Sequence, residues 1–270
     1  MADRVRFFVD PKTNSDNPDI RMAYGLNVVP PWADGGSLFI NFPEHLEYMP
    51  GTRGIARHHD KRGNVWQVSP DGSEAWYEVE SVTEPGVFFS VKAHAESGRA
   101  LFEMTITNRS QITLGNIRPL ICYQYHGLKG FPVSGTDNFA HTFIAIAGKP
   151  VALKSLTVKN SEAYARMAQV KGYPDEHNWW AEKMGGFIEE PMDMAFTALT
   201  ASADDRKVVV FWIPGKNLLS NSAIPCIHAD PYFGDLKPGE SRSARGILIF
   251  TLASLKELVE ELAEKAEQTW

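Results

Sequence analysis

Five β-rich runs follow one another in the first half of the chain: Val65-Trp-Gln-Val68, Ala75-Trp-Tyr-Glu-Val-Glu-Ser-Val82, Val87-Phe-Phe-Ser-Val-Lys-Ala-His94, Ala100-Leu-Phe-Glu-Met-Thr-Ile-Thr107 and Ile117-Arg-Pro-Leu-Ile-Cys-Tyr-Gln-Tyr125. Between them lie Pro70-Asp71-Gly72, Glu84-Pro85-Gly86, Ser97-Gly98 and Asn108-Arg109-Ser110, which are turn formers. Strands this short and evenly spaced predict an antiparallel meander, and no βαβ unit interrupts them. The fold class read from them is all-β, a large antiparallel β-sandwich.

Outward from the meander the pattern holds. Upstream, residues 1–36 mix short apolar runs with turn formers and read as edge strands and loops. Ser37 to Phe42 reads as a strand ended by Pro43, and residues 43–64 read as a polar loop rich in Arg and His. Downstream, Phe139 to Ala147 and Val151 to Leu156 predict a hairpin around Gly148-Lys149. A short helix is predicted at Ser161 to Val170, and strands return at Met194 to Thr200, Val208 to Ile213 and Gly246 to Thr251. A C-terminal helix over 254–268 closes the chain. Ser254-Leu-Lys-Glu257 is a capping box, and Leu255, Leu258, Val259, Leu262 and Ala266 make an apolar stripe that predicts a docking face. The whole of 1–270 reads as one domain.

Composition narrows the function. The chain has 270 residues, 43% of them hydrophobic and 22% charged, with 27 basic and 33 acidic residues for a net charge of −6. That balance gives no reason to expect nucleic acid. No apolar run reaches the ~18 residues of a membrane span. The opening Met1-Ala-Asp-Arg-Val-Arg6 lacks the apolar core of a secretory signal, so a cytoplasmic protein is expected, monomeric or homodimeric. Two cysteines do not make a disulfide scaffold. A G-x-S-x-G elbow, a phosphate loop and a G-x-G-x-x-G turn are all absent, which argues against nucleotide-driven chemistry and organic cofactors.

The chemistry-bearing stretch is Ile224-Pro-Cys-Ile-His-Ala-Asp-Pro-Tyr-Phe-Gly-Asp-Leu-Lys-Pro-Gly-Glu240. In an extended chain, period-two geometry puts Cys226, His228 and Asp230 on one face. The bland reading of the same residues is a core thiol, a satisfied buried histidine and a turn-capping carboxylate. Cys122, Gln124 and His126 share a face by the same rule. If the two faces meet, a mixed zinc site becomes the alternative to a metal-free one, although neither C-x-x-C nor H-x-x-x-H occurs. Arg57 and His58 lie in the basic stretch, where a guanidinium fork suits hydroxyl-rich or anionic ligands. His177 beside Trp179 and Trp180 resembles a sugar-stacking patch, with burial of the rings as its alternative.

Three segments resemble the galactose mutarotase (aldose 1-epimerase) superfamily, in the same order: Gly54-Ile-Ala-Arg57 with Trp66 downstream; Thr107-Asn-Arg-Ser110 followed by Tyr125-His126; and Cys226-Ile-His-Ala-Asp-Pro231 followed by Leu236-Lys-Pro-Gly-Glu240. The resemblance implies a β-sandwich of the mutarotase type with a shallow, open sugar site. It implies Arg57 at substrate hydroxyls, His126 as proton donor to the ring oxygen, and Asp230, with His228 competing, as the base at the anomeric hydroxyl. Asp230 stands where the family has a glutamate, and His126 is followed by Gly127-Leu128 where the family has an aromatic pair. The expected function is therefore acid–base chemistry on a mono- or oligosaccharide. A carbohydrate lyase or hydrolase, metal-assisted or not, and a non-catalytic sugar-binding module are the alternatives.

Overall fold

The computed structural model describes residues 4–10, 23–50, 56–58, 64–132, 137–159, 164–173 and 185–267. In chain order the strands begin with β1 (Arg6–Phe8), β2 (Gly25–Val29), β3 (Leu38–Pro50), β4 (Ala56–His58), β5 (Gln67–Val68) and β6 (Glu74–Glu80). There follow β7 (Val87–Ala95), β8 (Arg99–Asn108), β9 (Leu114–Gln124), a short helix α1 (Asp137–His141), β10 (Thr142–Ile146), β11 (Lys149–Ala152) and β12 (Val158–Lys159). The last are β13 (Ala165–Gln169), β14 (Gly185–Ile188), β15 (Ala195–Thr200), β16 (Lys207–Ile213), β17 (Gly215–Asn221), β18 (Cys226–Pro231), β19 (Gly234–Leu236), β20 (Ser241–Thr251) and helix α2 (Leu255–Glu267).

Alternation of side chains explains the meander. In β8 every second residue from Ala100 to Asn108 is buried, and β7 follows the same rule. These strands belong to a nine-stranded sheet ordered β11-β10-β15-β16-β20-β8-β7-β6-β5. The second sheet has eleven strands, ordered β1-β2-β3-β9-β18-β17-β13-β14-β12, with β19 added to β9 and β4 to β3. Among the described residues, strand pairing is antiparallel except between β13 and β14. The two sheets are the layers of a β-sandwich, as the sequence predicts.

A single apolar cluster fills the space between the layers, drawing on Ile121, Tyr123, Tyr125 and Ile227 from one sheet and Phe89, Phe102, Val210 and Trp212 from the other. Trp212 Nε1 donates to Tyr123 Oη at 3.1 Å, tying the layers together. Gly246 pairs with Trp212, and a Cβ at 246 would run into the indole, so only glycine leaves room for the ring.

Four expectations need correction. β3 does not stop at Pro43 but runs on to Pro50, and the stretch read as loop also contains β4. Pro43 is tolerated because the ladder to β9 shifts register between Asn41 and His45, and proline fits such an irregularity. Within the predicted helix at Ser161 to Val170, whose first residues lie outside the described ones, Ala165 to Gln169 are instead β13, because they pair residue by residue with Asn221 to Asn217 of β17. The hairpin of β10 and β11 is shorter than predicted, since Phe139 belongs to α1 and Leu153–Ser155 forms a 3-10 turn. In α2 the capping box forms as read: Ser254 N–H donates to Glu257 Oε2 at 2.9 Å and Glu257 N–H to Ser254 Oγ at 3.3 Å. Leu258, Val259 and Leu262 are buried against Phe196, Val209 and Phe211 on the outer side of the nine-stranded sheet, but Ala266 is exposed.

Candidate functional site

β9 and β18 lie side by side, with Cys226 opposite Gln124 and Ile227 opposite Tyr123. Ile121, Tyr123, Ile227 and Ala229 point into the core between the sheets. Cys122, Gln124, Cys226, His228 and Asp230 therefore face outward, as the period-two reading requires. These outward residues are nevertheless covered: His228 is 2% exposed and Asp230 is 4%. β17 and β18 are buried along their whole length, on both faces.

The outer face of the eleven-stranded sheet carries polar groups that the sequence reading missed. Glu47 and Arg118, register partners on β3 and β9, form an ion pair with Nε 3.1 Å from Oε2, and both are almost wholly buried. Asp230 Oδ1 accepts the backbone N–H of Ile121 at 2.9 Å, a side chain standing in for a ladder bond where β9 and β18 diverge. Arg118, Asn217 and Asp230 line a void of about 10 Å³, room for about one water molecule. Two strands further along, Gln169 pairs with Asn217, which in turn pairs with Asp230. Gln169 and Tyr173 line an open groove of about 360 Å³. Beside it Tyr173 and Tyr232 meet edge to face at 5.0 Å, and Lys216 Nζ sits 5.7 Å and 4.8 Å from their ring centres.

His228 is the electrostatic centre. Its Nδ1 lies 3.5 Å from Asp230 Oδ1, and its Nε2 lies 3.8 Å from Cys226 Sγ and 4.0 Å from Glu44 Oε2. Burial works against the imidazolium, but Cys122 and Asp230 beside it more than offset that and hold its proton above the usual histidine range. The neighbouring Cys226 sulfur and burial push the Cys122 thiol well above the usual thiol range.

The structure thus brings His228 and Asp230 together, with Cys122 and Cys226 next to them. It does not bring His126 to them. His126 is exposed in the turn beyond β9, five residues past the Ile121 amide that holds Asp230, or about 16 Å along an extended strand. Arg57 and His58 lie on β4, whose backbone pairs them with Glu47 and Leu46. His177 and Trp179 fall outside the described residues. At Asp230 and His228 the geometry is closed, where an open site is expected.

Parts of two of the three motifs that carry the resemblance meet each other away from this site. Asn108 Nδ2 donates to the carbonyls of Ile112 and Leu236, and its Oδ1 accepts from Ser110. The Gly239 N–H donates to the Asn108 carbonyl. The Asn-Arg-Ser stretch and the Leu-Lys-Pro-Gly-Glu turn are thus one structural clamp. Arg118 escaped the sequence reading because its partner Glu47 sat in a stretch read as loop; the outward parity of Arg118, Cys122 and Gln124 was the available signal.

No protein-family model matches the chain, and no curated protein matches it in sequence. Among solved structures it is similar to a galactose mutarotase related enzyme from Lactobacillus acidophilus, at 10% identity over 85% of this chain and 95% of that one, with a TM-score of 0.47. It is similar also to a galactose mutarotase-like protein from Lactobacillus casei, at 11% identity over 84% of this chain and 97% of that one, with a TM-score of 0.43. A polysaccharide lyase matches at 13% identity over 93% of this chain, with a TM-score of 0.43, and the chain spans 33% of that protein's length.

Proposed function

We propose that the chain is a carbohydrate-active enzyme of the mutarotase type, working by acid–base chemistry on a mono- or oligosaccharide at the outer face of the eleven-stranded sheet. One observation carries the reading: Glu47, Arg118, Gln169, Lys216, Asn217, His228 and Asp230 are all buried on β3, β9, β13, β17 and β18. Burying so many ionic and amide groups costs free energy that an apolar face would avoid, so the set has a use beyond folding.

Asp230 is the proton acceptor, acting through a single water in the void it lines with Arg118 and Asn217, and His228 beside it orients the carboxylate. Arg118, fixed by Glu47, lines the same void and presents a rigid donor fork to that water. Tyr173 and Tyr232 offer ring faces to the apolar side of a pyranose, and Lys216 adds a cation beside them. The groove at Gln169 is two strand spacings, about 10 Å, from Asp230. This assignment leaves His126 out.

The test is anomer exchange and sugar binding followed by NMR over a panel of aldoses and oligosaccharides. Tyr173→Ala should weaken binding, while Asp230→Asn should lower turnover by roughly 10²–10⁴-fold and leave binding largely intact. Absence of both binding and exchange across the panel sinks the reading. The burial of Asp230 favours a second one, a non-catalytic sugar-binding protein. Wild-type binding without turnover, unchanged by Asp230→Asn, selects it.

A further inference from the structure

We propose that Cys122, Cys226 and His228 hold a thiophilic divalent metal ion, zinc by the chemistry of its donors, with Glu44 at the fourth, solvent-side position. The inference does not depend on a sugar being the ligand. One donor atom from each of the three residues lies within 4.8 Å of the other two. In a tetrahedral zinc site, Zn–S of about 2.3 Å and Zn–N of about 2.0 Å place neighbouring donors roughly 3.5–3.8 Å apart. Cys226 Sγ and His228 Nε2 are already 3.8 Å apart, and Glu44 Oε2 is 4.0 Å from the same nitrogen. Closing the three inner donors on a metal needs a contraction of at most about an ångström along their longest edge, and the partly exposed Glu44 side chain must swing further in to complete the set.

The backbone frames these donors. One step along the ladder from the Ile227–Tyr123 pair sets His228 across from Cys122, and Cys226 is the neighbour of His228 on its own strand face. All three donors are thus fixed by paired strands. The same register argues against a disulfide. Cys122 and Cys226 are diagonal neighbours, with Cα atoms about 7–8 Å apart, at or beyond the ~7 Å that a disulfide spans.

Two buried thiols among Ala165, Met167 and Leu219 would pass as ordinary core residues. The imidazole would not. His228 Nδ1 is buried without a well-formed hydrogen bond, and Nε2 faces a sulfur and a carboxylate at the limit of contact. A metal on Nε2 fixes the tautomer with the proton on Nδ1, which then donates to Asp230, the carboxylate–histidine–metal arrangement. Gln124 Nε2 lies 3.7 Å from Cys122 Sγ, placed to donate to a thiolate. Two thiolates and an imidazole select zinc over magnesium or calcium, and binding sends the two thiol protons to solvent.

The experiment is a titration of the metal-stripped full chain with Co²⁺, then Zn²⁺. One Co²⁺ per chain should bind with a near-ultraviolet thiolate charge-transfer band and a visible band of tetrahedral intensity, and Zn²⁺ should displace it. Zn²⁺ should raise the melting temperature of the wild type, and a chelator should reverse the shift. Cys122→Ser and Cys226→Ser, each checked for folding by circular dichroism, should each weaken the charge-transfer band, and the double replacement should abolish it. Asp230→Asn should weaken affinity about 10–100-fold. A wild type with neither a charge-transfer band nor a zinc-dependent melting shift overturns the proposal, and this needs no variant to fold. So does a band of full intensity in the double cysteine variant, or peptide mapping that finds Cys122 and Cys226 joined.

Discussion

The two outer faces of the sandwich are both covered, and they are covered differently. On the nine-stranded sheet, α2 lays Leu258, Val259 and Leu262 over Phe196, Val209 and Phe211. β15 and β16 are buried on both sides there; Val208 to Ile213 is a continuous apolar run, and in β15 only Thr197 interrupts Ala195 to Leu199. On the eleven-stranded sheet, β17 and β18 are just as buried, yet beside Leu219 their outward positions include Asn217, Cys226, His228 and Asp230. The first face is solved by hydrophobic burial. The second relies on pairing of charges and amides, which stabilises little against an apolar equivalent but is costly to break.

Breaking the apolar face should give the largest effect. Leu258→Ala with Leu262→Ala should cost roughly 2–5 kcal/mol for each site, read from chemical denaturation, with strands intact by circular dichroism. An unchanged midpoint would mean that α2 is merely attached.

On the polar face, Glu47→Gln leaves Arg118 buried without its counter-charge and should cost about 3–5 kcal/mol. Replacing both residues with apolar ones of similar size should recover most of that stability and remove the sugar binding proposed above. If the double replacement binds sugar as the wild type does, the polar face is structural and the contrast drawn here fails.

The smallest effect serves as a solvent-exposed control. Asp71 accepts Ser69 Oγ at 2.7 Å, Ser73 Oγ at 2.8 Å and the Ser73 N–H at 3.1 Å, and these bonds lower its pKa from 3.8 to about 2. A depressed carboxylate contributes stability that is full above its ordinary value and is lost as pH falls through about 2. Asp71→Asn should therefore melt slightly below wild type at neutral pH, and the gap should close across that acid window. A gap independent of pH would show that the turn does not depend on the charge.

Most of the architecture was legible in the sequence, for a local reason. β6 to β9 alternate, and their turns contain the glycines and prolines that turns need. Segments whose state is decided by distant partners were not legible. Ala165 to Gln169 has helix-forming residues and becomes a strand because β17 offers a ladder. Pro43 looked like a terminator because the register shift that accommodates it lies in the pairing with β9. The candidate site divides the same way. Cys226, His228 and Asp230 share a face by arithmetic along one strand, but Glu47 and Arg118, 71 residues apart, become a pair only once β3 and β9 are neighbours. Tyr173, Tyr232 and Lys216 come together from three separate segments.

The position of β20 has a consequence for synthesis. It lies in the interior of the nine-stranded sheet, between β8 and β16, with Ser241 facing Thr107 and Lys207 facing Thr251. A nascent chain emerging from the ribosome makes β5 to β8 more than a hundred residues before the strand that joins them to β16. Until then β8 presents an open edge and an apolar side with no permanent partner, the condition in which strands pair with a neighbouring chain. Ribosome-bound chains halted before Ser241 should therefore be the species that a holdase chaperone captures, and release should follow once β20 has cleared the exit tunnel.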